Sequence, residues 1–124
     1  MKIGVLNGFP FPEGLAATTR IIAYCKGLID VGVECEIFTF AWHLSEVQQP
    51  YGTIENIPYY IGHVSSPKRN KVLRYIIDRP QNKRNTIRNI VISHRHKPFD
   101  FMLVSWDNIK DLHYFLPRLS KMGI

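Results

Sequence analysis

The stretch from Lys2 to Gly32 limits what this chain can fold into more than any other, because its hydrophobic period changes across a loop that neither period can continue through. Ile3, Val5 and Leu6 form a short apolar run with no polar face, the pattern of a strand buried on both sides. Gly8-Phe9-Pro10-Phe11-Pro12-Glu13-Gly14 ends it, since two prolines fix φ and remove donors while the glycines permit turns. From Leu15 the spacing is helical, with Ile21, Ile22, Cys25, Leu28 and Ile29 on one face, and Gly32 stands where a helix C-cap glycine belongs. Such a β-loop-α unit sets the first N–H groups of the helix at the carboxyl end of the strand, where α/β sheets bind phosphates and other anions.

The later elements follow from the same reasoning. Val33 to Phe40 alternates and then becomes apolar, a second strand, parallel to the first because the helix provides the crossover. Ala41 to Gly52 is irregular. Thr53 to Ile61 reads as a hairpin-like or third-strand region, and Pro58 assigns it to a sheet edge. Lys71 to Ile77 is expected to be a helix with Val72, Leu73, Ile76 and Ile77 on one face, broken by Pro80. A second helix, Gln81 to Arg95, would bury Ile87, Ile90 and Val91 and expose Lys83, Arg84 and Arg88. Phe99 to Trp106 is nearly all apolar and reads as a parallel strand, after which Asp107 or Asn108 caps a last helix with Ile109, Leu112, Phe115, Leu116 and Leu119 inward.

The predicted fold class is therefore α/β: a three-layer, Rossmann-like domain with a mainly parallel sheet of order 3-2-1-4 and helices on both faces. A chain of 124 residues, 45% hydrophobic, is one such domain. Its fourth strand, apolar on both faces, would end the sheet as a bare edge, so the expectation is a fragment or a homodimer paired along that edge.

Charge and cysteines narrow the function classes. Ten of the sixteen Lys and Arg residues lie between Lys68 and Lys97 with one acid, Asp78, so a basic stretch sits in an otherwise mildly acidic domain. No apolar run approaches the roughly 20 residues of a membrane span, and Asn7 interrupts the apolar N-terminus, so neither a transmembrane segment nor a signal peptide is expected. The expected compartment is cytoplasmic, and Cys25 and Cys35 read as small buried hydrophobes. Gly4, Gly8 and Gly14 lack GxGxxG spacing, which argues against NAD or FAD. His94 and His96 at i, i+2 do not share a helix face and have no carboxylate beside them, so no metal site is expected.

The opening has a specific likeness. Hydrophobic strand, Asn7, Gly-Phe-Pro-Phe-Pro, Glu13-Gly14, small residues, Thr19-Arg20, apolar helix, Gly32 and then Val-Glu-Cys-Glu-Ile-Phe resembles the start of group 1 glycosyltransferases, from Met1 to about Phe40. Those enzymes have the GT-B architecture, two Rossmann-like domains facing a cleft. The resemblance implies that residues 1–124 are the N-terminal, acceptor-side part of such an enzyme, truncated before the C-terminal donor-binding domain and inactive alone. The whole enzyme would move a sugar from a nucleotide-sugar donor to a hydroxyl acceptor, lipid-linked in some members, in polysaccharide biosynthesis, with no cofactor or metal.

Candidate site residues carry a functional and a plain reading side by side. The resemblance puts the Gly14 turn and the helix start from Leu15 to Thr18 against a diphosphate; the plain alternative is an ordinary βα turn. Relatives often carry two glycines where this chain has Gly14-Leu15. Arg20 is a phosphate or carboxylate clamp or a surface arginine. Asn7, His43, Ser105, Trp106 and Asp107 fall at strand ends, where Trp106 could stack on a sugar ring and Asp107 could accept from hydroxyls or simply cap a helix. The family frequently has a histidine after its fourth strand; here Ser105-Trp106-Asp107 takes that place, and no residue stands out as a general base. The basic stretch (Lys68, Arg69, Lys71, Arg74, Lys83, Arg84, Arg88) reads either as a solvated helix face or as a peripheral contact with anionic lipid at the inner face of the cell membrane. Nucleic acid is not the expected partner, since no helix-turn-helix or aromatic platform accompanies the charge. A free-standing, non-catalytic binding module, dimeric through its last strand, is the alternative to the enzyme.

Overall fold

The computed structural model describes residues 1–9, 16–40, 43–44, 49–62, 64–65, 70–105 and 108–124, with backbone alone at 43–44 and 64–65. Strands β1 (Lys2–Asn7) and β2 (Glu34–Thr39) run parallel in register, Lys2 opposite Glu34 and Asn7 opposite Thr39, with helix α1 (Ala16–Asp30) as the crossover. All six residues of β1 are buried, as a strand covered on both faces requires. Gly32, at φ +90°, ends α1: its own N–H reaches Ile29 O at 3.0 Å and the Val33 N–H reaches Leu28 O at 3.0 Å, so the last carbonyls are satisfied.

After a two-residue pair, β3 (His43–Leu44) with β6 (Val64–Ser65), the main sheet is completed by β4 (Tyr51–Ile54), β5 (Ile57–Ile61) and β7 (Phe101–Ser105). Its order is β4-β5-β2-β1-β7. The expected order 3-2-1-4 is therefore corrected: β5, β2, β1 and β7 are parallel neighbours, and an additional antiparallel strand, β4, lies outside β5. The cause is local. Glu55 and Asn56 take φ of 50° and 67°, both positive as a two-residue I′ hairpin turn demands, and fold Tyr51–Ile54 back onto β5. Pro58 is thus not on an edge strand. It is tolerated because pairing with β2 begins only at Tyr59, while opposite Thr53 it occupies a non-hydrogen-bonded position of the hairpin.

Two apolar layers sandwich the sheet. On one face α1 packs Ile21 and Cys25 onto Val5, Cys35, Ile37, Ile57 and Ile61. On the other, helices α3 (Arg79–His96) and α4 (Ile109–Lys121) pack Ile90, Phe115 and Leu119 onto Leu6, Phe38 and Phe40. The break expected at Pro80 does not occur. A short α2 (Lys71–Leu73) and a π-helical turn (Arg74–Asp78) lead without interruption into α3, and the Arg79 N–H bonds Arg74 O, five residues back. The wider turn lets the chain take in a proline at the first positions of α3, where its missing N–H is tolerated.

The expected apolar face of Val72, Leu73, Ile76 and Ile77 is exposed, and two burial expectations are corrected. Ile109 and Leu116 of α4 are exposed rather than packed. Ile90 is buried as expected, but Ile87 and Val91 are only half-buried, and the innermost positions of α3 toward its start are polar: Asn82 and Thr86. They lie against Gly62, where an added Cβ would collide with Asn82 Oδ1 and Thr86 Oγ1, and Asn82 Nδ2 donates to Phe40 O at 2.6 Å. At the amino end, buried Lys2 pairs with Glu36 at 3.2 Å, donates to Ser93 Oγ at 2.9 Å and to Lys97 O at 3.0 Å, and lies 4.3 Å from the Phe99 ring centroid.

Gly62→Ala is expected to destabilise the chain by about 1–3 kcal/mol in urea unfolding, because the methyl has no room between β5 and α3. Lys2→Ala strands the Glu36 carboxylate and is expected to cost about 3 kcal/mol in the same measurement, whereas Ser93→Ala costs less.

Candidate functional site

The main candidate lies at the carboxyl end of the sheet, between β1 and β7. There the strand order changes direction: the connection from β1 passes over one face through α1, while β7 is reached over the opposite face through α3. Such a switch point leaves a crevice into which no crossover runs. Along the face covered by α1, register places Ser105, Asn7 and Thr39 side by side on three adjacent strands. Thr18, in the first turns of α1, is buried on the helix that covers them.

This polar row shapes the turn that follows β1. Asn7 Oδ1 accepts from the Phe9 N–H at 2.7 Å, and the Thr39 hydroxyl donates to Phe9 O at 2.8 Å. The Phe40 N–H closes onto Asn7 O at 3.1 Å. Asn7 is fully buried, and its Nδ2 has no hydrogen-bond partner among the described residues. A buried donor left unmade costs about 1–3 kcal/mol, so this amide is a strong donor toward any oxygen brought beside it.

Beside the row runs a crevice of about 340 Å³ between α1 and β7. Phe9, Tyr24 and Leu103 give it apolar walls, and Arg20 and Ser105 give it polar ends. Arg20 is exposed and Ser105 half-buried, so a ligand in the crevice meets a guanidinium and a hydroxyl across an apolar floor. Cys25 lines its inner wall, and burial, first, with Cys35 beside it, pushes the Cys25 thiol up to about 12. It is therefore a protonated, apolar wall rather than a nucleophile.

The structure brings Arg20 and Ser105 together in this crevice and sets Asn7 in the row beneath it; Thr18 is turned into the packing of α1. Gly14, Leu15, Trp106 and Asp107 lie outside the described residues, as do Lys68, Arg69 and the side chain of His43. Asn108 is the cap of α4, its Oδ1 accepting from the Lys110 and Asp111 N–H groups at 3.1 and 3.4 Å. Sequence reasoning missed Thr39 and Phe9; the signal was Thr39 at the end of a strand, two residues on from Ile37 and so on the same face.

The expected basic patch divides. Lys83 and Arg84 line an open groove of about 860 Å³ between α3 and α4, together with Arg79, Lys110 and Arg118. Arg88 instead faces the β4–β5 side, near Tyr51 and Tyr60. Lys83 forms an ion pair with Asp111, and Arg74 is half-buried, its Nε without a partner among the described residues. Lys71, Arg84 and Arg88 are solvent-exposed. Among the described residues no group of His, Cys, Asp and Glu could hold a metal ion, and no helix is long and apolar enough to cross a membrane.

Compared with family models, curated proteins and solved structures, the chain gives no match.

The cysteine environment makes a pH prediction. Because the folded thiol of Cys25 ionises only near 12 and the unfolded one near 9.0, its contribution is fully present below pH 9.0 and is lost as the pH rises toward 12. Stability in urea should fall across that window, less steeply in Cys25→Ala, and a thiol reagent should label Cys25 only after unfolding.

Proposed function

We propose that the chain is the N-terminal, acceptor-side part of a glycosyltransferase resembling group 1, of GT-B type. The whole enzyme would transfer a sugar from a nucleotide-sugar donor to a hydroxyl acceptor, lipid-linked in some members of that group. The observation that carries this is the switch-point crevice: Arg20 and Ser105 meet there over an apolar floor, beside the buried Asn7 amide. An apolar wall with a few convergent polar groups suits a sugar or nucleotide ring whose oxygens need directed donors. Arg20 would act as the electrostatic clamp on a phosphate or sugar carboxylate, through paired N–H donors. Asn7 and Ser105 would orient acceptor hydroxyls, with Gly14 and Leu15 offering backbone N–H groups and Trp106 and Asp107 completing the rim. With no general base among these residues, the chain supplies one wall of a cleft and no chemistry of its own.

A second reading is favoured by β7. This strand ends the sheet, and Phe101 and Leu103 on the α1 face are each about half exposed, at 56% and 48%. A non-catalytic binding module that dimerises by pairing this edge would cover both.

Thermal shift with UDP- and GDP-sugars, on the longest form of the chain that can be expressed, tests the first reading. An upward shift is expected, with affinity about tenfold weaker in Arg20→Ala. No shift with any nucleotide-sugar or acceptor sugar, together with a dimer that Leu103→Lys dissociates in sedimentation velocity, favours the module instead.

A further inference from the structure

We propose that the groove between α3 and α4 binds a single strand of nucleic acid, its phosphates met by two facing rows of cations and its bases stacked on the rings set among them. A spacing of four residues places Tyr75, Arg79 and Lys83 along one wall and Lys110, Tyr114 and Arg118 along the other. Each row is roughly 12 Å long. Arg84 adds to the first wall. Asp111 is the one acid that lines the groove among the described residues, and Lys83 already pairs with it. Arg79, Arg84, Lys110 and Arg118 are all exposed. Like charges gathered around a concavity repel one another in the folded chain, and a cleft of one sign concentrates counter-ions.

The rings decide between polyanions. Tyr75 is 67% exposed, with the Arg79 guanidinium carbon 5.6 Å from its ring centroid. Arg118 lies 3.8 Å from the Tyr114 centroid and its Nη1 donates to Tyr114 O at 2.7 Å, so this guanidinium is held in place. A ring beside a guanidinium offers flat faces to a base, and every base has a π-face to lay on them. A row of roughly 12 Å spans about three phosphates at the spacing of one strand. A duplex keeps its base faces inside its own stack, and inorganic polyphosphate or an acidic peptide would use the charges and leave the rings idle. The sequence shows no aromatic platform beside the charge because Tyr75 and Tyr114 lie far apart along the chain; the fold brings both to one groove.

This groove shares no lining residue with the crevice between α1 and β7, so the proposal and the sugar-transfer reading fail separately. Fluorescence anisotropy of the whole chain with labelled oligo-dT and oligo-U of about 12 nucleotides is the test. Binding is expected, with log K falling by about 2 per tenfold rise in salt, as about three phosphate contacts on a single strand require. Arg79→Ala with Lys110→Ala should weaken it at least about tenfold and flatten that slope. Tyr75→Ala should weaken it about fivefold and leave the slope unchanged. Arg95→Ala with Lys121→Ala removes equal charge from the far ends of the same two helices and should change little. All five residues are exposed, so circular dichroism should show folded variants. Absence of binding to both strands, a duplex bound as tightly as the single strand, or equal losses in the two charge pairs overturns the proposal. So does a Tyr75→Ala variant that binds as the parent does, which would make the groove a plain polyanion site, or binding to anionic vesicles without binding to either strand.

Discussion

Everything in this molecule is registered on one strand that has no solvent face. β1 pairs with β2 on one side and β7 on the other, Val5 meets the layer under α1, and Leu6 meets the layer under α3 and α4. A strand covered twice can carry polar groups only where their partners are supplied, and β1 does so at its two ends. Lys2 is met by Glu36, Ser93 and the Lys97 carbonyl; Asn7 is met in part by its own turn. The amino end is thereby saturated and closed. The carboxyl end keeps an amide without a partner among the described residues, on the strand next to Ser105, which lines the crevice. The contrast between a finished end and an unfinished one marks the carboxyl end as the candidate site.

Much of the architecture was legible in the order of residues. An apolar run of both parities, a glycine-proline loop, a helical face ending at Gly32 and a second strand leave few alternatives, because only a crossover helix can join parallel neighbours. Asn7 and Ser105 could be placed at the strand ends by the same logic, and Arg20 a turn into the helix that follows. What could not be read depended on what comes to lie opposite. Val72, Ile76 and Ile77 carry the periodicity of a core face, yet period reports that one side of a helix is apolar and not that anything packs on it. Nothing in the local pattern marks Asn82 and Thr86 as inward positions; only Gly62 and the Phe40 carbonyl, set against them in the fold, do.

Proline and turn chemistry account for the remaining differences. Pro58 suggested an edge, but Glu55-Asn56 turned the preceding residues into a strand of their own and moved the edge outward. Pro80 suggested a break, and a widened turn absorbed it. In both places the missing N–H was accommodated by where the neighbouring ladder happens to begin, a property of three-dimensional register that no local window contains.

The widened turn has an effect that reaches past its own carbonyls. One surplus residue advances the angular phase of a helix by about 100° without ending it. The long helix therefore behaves as two rods joined end to end, each free to aim its greasy stripe on its own bearing. Selection can tune what the outer rod meets while leaving the inner rod's grip on the sheet untouched, and a single-residue deletion there would swing one against the other like a key turned in a lock.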